Sequence, residues 1–137
     1  MSLLVLVMLV AAGCTADSRT APGTVQLQAQ EGSPVISSID PVSGPFGTRV
    51  TISGGGFTPN GNTVNFIRTV NGAKENKTAA PDVSSADGTR LVFTLNRTVT
   101  LCPPGGCFDE VLAAGTYDVV ITNPKGQSNA VRFTITE

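Results

Sequence analysis

Apolar and polar residues alternate in short stretches from about residue 34 to the end of the chain, the period of half-buried β-strands. The clearest two stretches, residues 116–122 and 129–136, flank a turn-forming segment at 123–126. They are predicted to form a hairpin with one face in a core and the other in water. The residues predicted to face the core are Tyr117, Val119, Ile121, Val131, Phe133 and Ile135, and those predicted to face water include Asp118, Val120 and Thr122.

Turn-forming residues separate the remaining alternating stretches. Two segments, residues 70–81 and 96–114, are longer than ordinary hairpin loops, and the second allows one helical turn at 108–114 that Gly115 ends. The pattern predicts an all-β domain over residues 34–137, a β-sandwich of about seven strands. The strands are expected at about residues 34–40, 48–53, 62–69, 82–85, 90–95, 116–122 and 129–136.

The first fourteen residues form a separate unit of the sequence. Residues 2–10 are almost purely apolar, and three small residues then precede Cys14. A helix of this length reaches roughly 18 Å, which is shorter than a bilayer core of about 30 Å, so a signal peptide is favoured over a membrane span. The small residues before the cysteine resemble a bacterial lipobox, which implies cleavage after residue 13 and lipid attachment to Cys14. The alternative is an ordinary secretory signal that is cut near Ala16, with Cys14 lost.

Residues 14–33 are predicted to be a lipidated cysteine followed by a flexible tether. Their first half is polar and contains Pro22 and Gly23. Residues 24–30 alternate apolar with polar, so an additional edge strand and a glutamine-rich spacer are both compatible with the sequence.

The charge balance and the absence of histidine limit the possible chemistry. Nine basic and ten acidic residues give a net charge of −1, which provides no basic face for nucleic acid. The chain contains no histidine, so the usual nucleophile–base pairs and histidine-containing metal sites are not available. We therefore expect no enzyme activity, no cofactor and no metal site. Asp82 and Asp87 are more simply interpreted as loop-capping residues than as calcium ligands.

Two of the three cysteines, Cys102 and Cys107, enclose a Pro-Pro-Gly-Gly turn. An exported chain favours a disulfide between them, and such a short loop predicts a contribution of about 2 kcal/mol. A metal or redox pair would require further ligands or a neighbouring base. Two free thiols in a reducing compartment are the remaining alternative.

Two motifs resemble those of IPT/TIG domains, a family with the immunoglobulin-like fold. Residues 41–57 combine a proline-glycine turn, a strand with Val50 and Ile52, and the glycines 54–56 before Phe57. Residues 114–129 resemble the closing hairpin of the family, in which a glycine and an aromatic residue open the strand. The resemblance implies an immunoglobulin-like sandwich used for binding or spacing. It also places Tyr117 where such folds have a tyrosine corner, with its phenol bonded to the backbone.

The function predicted from these features is a non-catalytic lipoprotein of the bacterial cell envelope that carries one IPT/TIG-like binding or structural module. The expected location is the outer membrane, at its periplasmic face or the cell surface. The partners are the membrane, through the lipid, and a protein or glycan of unknown identity. The alternative is a carbohydrate- or polymer-binding surface module. Phe46 and Phe108 lie in predicted loops, either as exposed anchors for a partner or as caps of the sandwich ends.

Overall fold

The structure is a computed structural model that describes residues 32–137. All the regular elements of these residues are β-strands, and none of them is a helix that could cross a membrane. The predicted signal peptide at 1–13, the lipidation site Cys14 and the possible strand at 24–30 lie outside the described residues.

Eleven strands build the described part of the chain, where the sequence predicted about seven. Six of them match predicted strands closely, and the increase comes from two very short strands and from the segments predicted to be loops. The strands are β1 (Val35–Asp40), β2 (Ser43–Gly44), β3 (Arg49–Gly55), β4 (Asn62–Val70), β5 (Ala73–Val83), β6 (Arg90–Thr94), β7 (Thr98–Leu101), β8 (Phe108–Val111), β9 (Gly115–Asn123), β10 (Gly126–Gln127) and β11 (Val131–Ile135).

The strands form two larger sheets and one small hairpin. The smaller sheet has the order β1-β3-β6, and the larger has the order β2-β11-β9-β4-β5 with β10 paired to β9. β7 and β8 pair only with each other. Apart from the parallel pair β2–β11, the pairings are antiparallel. The architecture is the predicted immunoglobulin-like β-sandwich.

The core lies between the two larger sheets and is centred on aromatic rings. The ring of Phe66 on β4 lies 5.5 Å from Tyr117, 5.7 Å from Phe133 and 6.4 Å from Phe93, centroid to centroid. Aromatic pairs at these separations add to the burial of apolar area. Around them pack Ile36, Ile39, Val50, Ile52, Phe57, Val64, Leu91, Leu95, Leu112, Val119, Ile121 and Ile135.

The predicted strand phase of the closing hairpin is confirmed on its inner face. Tyr117, Phe133 and Ile135 are buried, and Val131 is partly buried against the core. The prediction for Val120 was wrong, because this residue is 4% exposed although it points away from the core. Val120 lies opposite Asn65 of β4 at the bottom of a groove on the outer face of the larger sheet, which Gln127, Ser128 and Ala130 also border, so little of its side chain is exposed.

The predicted loop at 70–81 is largely a strand. β4 and β5 form a long hairpin around Asn71 and Gly72, whose φ angles are 50° and 80°. Positive φ at both central residues defines the two-residue turn that matches the twist of a hairpin, and Asn-Gly is its preferred sequence. The weak strand expected at 82–85 is the end of β5, which stops at Val83.

The predicted loop at 96–114 contains the β7–β8 hairpin. The helical turn expected at 108–114 is wrong, because residues 108–111 form β8. Each residue of β8 has a partner on β7, from Leu101 opposite Phe108 to Thr98 opposite Val111. The disulfide between Cys102 and Cys107 closes this hairpin just beyond its last pair, which favours the paired conformation over a local helix.

The glycine run at 54–56 allows the backbones of β1 and β3 to approach closely. A Cβ on Gly54 would overlap the carbonyl oxygen of Val35, and Gly56 has a φ of 73°. Gly55 has free space around the position of a Cβ. Two of the three glycines are therefore required by local geometry.

Candidate functional site

The β7–β8 hairpin, residues 98–111, is referred to here as the stapled hairpin. Its tip is closed by the Cys102–Cys107 disulfide and by a hydrogen bond of 3.2 Å that the Gly106 amide donates to the Pro103 carbonyl. Its base is closed by a bond of 2.8 Å from the Leu112 amide to the Arg97 carbonyl. The hairpin is thus held at both ends, which fixes the surface that it presents.

Side chains tie the stapled hairpin to the sandwich. The carboxylate of Glu110 accepts a hydrogen bond from the backbone amide of Thr78 on β5, and the side chains of Val99 on β7 and of Leu112, just after β8, are buried. The phenol of Tyr117 donates a bond of 2.8 Å to the carbonyl of Ala113, four residues upstream. This is the expected tyrosine corner, and it anchors the segment that leads from the hairpin into β9.

The stapled hairpin exposes two large apolar side chains. Phe108 is 51% exposed and Val111 is 57% exposed. Side chains alternate between the faces of a strand, so Phe108 shares the β5-facing side with Glu110, and Val111 lies on the opposite side. The hairpin therefore displays one apolar residue on each face.

The structure distinguishes the two phenylalanines that were predicted to lie in loops. Phe46 is partly buried against the core, and the guanidinium of Arg97 lies 4.9 Å from its ring centroid. Phe46 therefore caps one end of the sandwich, whereas Phe108 lies at the start of β8 and is exposed.

A second feature, here called the edge groove, lies between strands of the two sheets. It is an open groove of about 440 Å³ between β5, β6 and β7. Its lining is mostly small and polar, with hydroxyl groups from Thr94, Thr98 and Thr100 and one carboxylate from Asp82. The lining comprises residues 79–84, 92–94, 96 and 98–100.

A third concave surface lies on the outer face of the larger sheet, opposite the core. This outer-face groove has a volume of about 310 Å³. Ile67 and Val120 provide an aliphatic floor, because their neighbours Phe66 and Val119 point into the core. Polar side chains surround that floor: Thr69, Lys74, Asp118, Gln127 and Ser128.

A buried amide network supports the loops at one end of the sandwich, and the sequence analysis missed it. Asn62 is fully buried, and its amide nitrogen donates to the carbonyls of Thr58 at 2.6 Å and Val83 at 2.8 Å. Its amide oxygen accepts from the Thr58 amide at 2.9 Å and from the side chain of Asn123 at 3.1 Å. The network satisfies its polar groups internally, so its role is structural.

The two aspartates considered as calcium ligands instead bond to backbone amides. The Asp82 carboxylate accepts from Gly61 at 2.6 Å, and that of Asp87 accepts from Thr89 at 2.9 Å. Hydrogen bonds from Thr89 hold the pKa of Asp87 below its ordinary value. Within residues 32–137 no three potential ligand side chains are grouped to hold a metal ion. The geometry is that of loop capping, as the sequence favoured.

Comparison with known proteins places this fold in a family. The model of the IPT/TIG domain matches residues 34–135. No curated protein matches the chain.

Two solved structures share part of the fold. One is a gamma-CGTase from alkalophilic Bacillus clarkii, with 28% identity and a TM-score of 0.48, and the other is a fungal alcohol oxidase of the AA5 family in complex with copper, with 18% identity and a TM-score of 0.40. The matches cover 76% and 77% of this chain, but only 12% and 21% of those proteins. The chain is therefore similar to a small part of each.

Proposed function

Because this chain belongs to the IPT/TIG domain family, we propose that it is a lipid-anchored binding module of the bacterial cell envelope. Residues 34–135 form a non-catalytic immunoglobulin-like module. The proposal adds an anchor at Cys14 and a contact surface on the stapled hairpin. It also places the protein at the outer membrane, on the periplasmic face or the cell surface.

The anchor is supported by the sequence before the domain. An apolar stretch of residues 2–10 and three small residues precede Cys14. The Cys102–Cys107 disulfide is consistent with export from the cytoplasm, because disulfides persist in exported proteins and are rare in reducing compartments.

The observation that carries the binding role is the exposure of Phe108 on a hairpin that is fixed at both ends. An exposed aromatic side chain on a rigid support loses little conformational freedom when a partner covers it. The disulfide, the Glu110–Thr78 bond and the Tyr117–Ala113 bond together hold that support in place. Tyr117 belongs to the core, but Phe108 packs outside it, so burial in the core does not explain the position of the Phe108 side chain.

The second candidate function is glycan binding at the outer-face groove. A sugar ring presents apolar C–H groups and hydroxyl groups together. The groove offers the aliphatic floor of Ile67 and Val120 beside donors and acceptors from Lys74 and Asp118. This combination suits the apolar ring face and the hydroxyl groups of a saccharide.

The two functions are separated by one set of variants. A Cys14→Ser chain is added to isolated envelope fractions and to a glycan array. With the hairpin as the contact surface, Phe108→Ser reduces envelope binding at least tenfold, and Asp118→Asn has no effect. The glycan alternative predicts array binding that Asp118→Asn abolishes and Phe108→Ser leaves intact. If neither substitution alters binding to the envelope fractions or to the array, both proposals are wrong.

A further inference from the structure

We propose that the edge groove binds an extended polypeptide segment, which adds as an antiparallel strand to the free edge of β6. The inference rests on the proposal that the domain is a binding module, and it adds a second contact site and the class of partner. Strand addition of this kind joins the backbone of a partner to an open sheet edge.

The hydrogen bonds around β6 show which backbone groups are directed into the groove. Leu95 donates to the carbonyl of Thr48 and accepts from the amide of Gly47, so both of its backbone groups face the β3 side. Because backbone direction alternates along a strand, the N–H and C=O groups of Thr94 and Val92 face the opposite way. Both residues line the edge groove.

The other end of β6 confirms this alternation. The carbonyl of Thr89 accepts from the amide of Gly54 on β3, whereas the carbonyl of Arg90 accepts from the hydroxyl of Ser85 on the opposite side. The backbone groups of Arg90, Val92 and Thr94 therefore form one row along the free edge. Ser85 covers only the first of them.

The other edges of the two larger sheets are protected against strand addition. The amide side chain of Asn129 bonds both backbone groups of Ile36 on β1, at 2.8 and 3.0 Å. β2 has only two residues. On β5, Lys74, Glu75 and Lys77 place charges along the first half of the strand, and Glu110 occupies the Thr78 amide. Natural sheets cover or shorten their edges to prevent unwanted pairing. Within residues 32–137, the row at Val92 and Thr94 has no such cover, which is expected of an edge that is kept for a partner.

The chemistry of the groove defines the occupant. A row of backbone donors and acceptors at strand spacing is matched by another extended backbone and not by a saccharide or a lipid. The small polar lining leaves room for side chains, and Asp82 is its one ionisable group. Because Leu91 and Phe93 are buried, a partner residue that bonds Val92 directs its side chain to solvent, and the next residue faces the core. The occupant is therefore a segment without acidic residues, in which polar and apolar residues alternate.

The alternation gives a sharp test with a synthetic peptide. The probe is the capped peptide acetyl-SVTVTVS-amide, labelled for fluorescence anisotropy and titrated with the full chain in detergent. N-methylation at the two threonines removes the amide protons that face β6, and it is expected to weaken binding about tenfold or more. N-methylation at two of the valines removes protons on the far side of the peptide, and it should change the affinity less than threefold. Equal losses from both methylated peptides, or no binding of the parent peptide, would overturn the proposal.

Variants of the protein test the same edge. Val92→Pro removes a donor that the β3–β6 ladder does not use, and proline is tolerated at such edge positions. Thr98→Arg fills the groove from an exposed position, and Thr116→Arg makes the same change on the outer face of the larger sheet. Peptide affinity should fall at least tenfold in Val92→Pro and in Thr98→Arg, and it should stay unchanged in Thr116→Arg. If Val92→Pro does not fold, Thr98→Arg decides the test. Unchanged affinity in Thr98→Arg contradicts the proposal.

The peptide experiment tests the edge groove independently of the envelope-binding experiment, which tests the stapled hairpin. Phe108→Ser should leave peptide affinity unchanged, because Phe108 does not line the edge groove. If the peptide fails to bind while Phe108→Ser still weakens envelope binding, strand addition is wrong and the binding module stands. If the peptide binds as described while Phe108→Ser has no effect on envelope binding, the edge groove stands and the hairpin is not the contact surface.

Discussion

At the scale of single residues, the core depends on Phe66 and the rings that surround it. Phe133 is fully buried and lies 5.7 Å from Phe66, in a strand whose phase the alternation in the sequence predicted correctly. Its position is readable from the sequence because every second residue of β11 faces inward. The particular rings that it meets are set by the pairing of distant strands, which the local pattern does not contain.

Phe133→Ala is expected to lower the free energy of unfolding by about 3–5 kcal/mol, because the truncation leaves a cavity in a packed core. That loss is a large part of the roughly 5–15 kcal/mol that stabilises a typical domain. The matched control is Arg132→Ala. The side chain of Arg132 is 78% exposed, so its removal should change the free energy of unfolding by about 0.5 kcal/mol or less. Urea denaturation measures both, and equal midpoints for the two variants contradict the assigned core.

Adjacent glycines provide a second residue-scale prediction. Gly54→Ala places a methyl group on the Val35 carbonyl and forces β1 away from β3, so a loss of about 1–3 kcal/mol is expected. Gly55→Ala meets free space and should change the stability by about 0.5 kcal/mol or less. Thermal denaturation of the two variants compares them directly. A Gly55→Ala variant that is as unstable as Gly54→Ala would show that backbone entropy, and not close approach, explains the glycine run.

At the scale of elements, the sequence predicted the strands whose pattern is local and missed those whose pattern is irregular. β1, β3, β4, β6, β9 and β11 alternate clearly and were placed within about two residues at their ends. β5 was missed because Lys74, Glu75 and Lys77 give it a polar edge with no inward repeat, although Asn71-Gly72 marks the turn before it. β7 and β8 were missed because only Val99 of their residues is buried.

The disulfide was predicted from the sequence, but the element that it closes was not. We expect the double variant Cys102→Ser, Cys107→Ser to lose about 2 kcal/mol or less, since the closed loop is short. The loss should concern the hairpin tip, because the core residues lie elsewhere. Hydrogen exchange should rise in residues 98–111 and remain unchanged in β9 and β11.

Two measurements complete that test. Mass spectrometry of a non-reduced digest of the protein from the envelope should show Cys102 and Cys107 in one linked fragment. Two thiols that react freely with an alkylating reagent would contradict both the bridge and the export that it supports. Global unfolding of the double variant would show instead that the hairpin is required for the sandwich.

At the scale of the whole molecule, residues 34–135 form one immunoglobulin-like module, and its surface carries the stapled hairpin, the edge groove and the outer-face groove. The fold class followed from the alternation and the turns, and the family from two motifs at its ends. The surfaces could not be predicted, because each depends on contacts between segments far apart in the chain. The Glu110–Thr78 bond, the edge of β6 and the Asn62 network exist only after the sheets have assembled.

The anchor is the property of the whole molecule that most directly decides its location. If Cys14 carries lipid, the full chain should enter the detergent phase of a cloud-point separation, and Cys14→Ser should move it to the aqueous phase. An acyl anchor contributes about 0.8 kcal/mol for each buried CH₂ group, so its loss produces a large change in partition. The double variant Cys102→Ser, Cys107→Ser is the matched control, because it removes two cysteines, keeps Cys14 and should remain with the detergent. Cleavage near Ala16 predicts instead that parent and Cys14→Ser chains both stay in the aqueous phase, and that result would replace the lipoprotein with a secreted module.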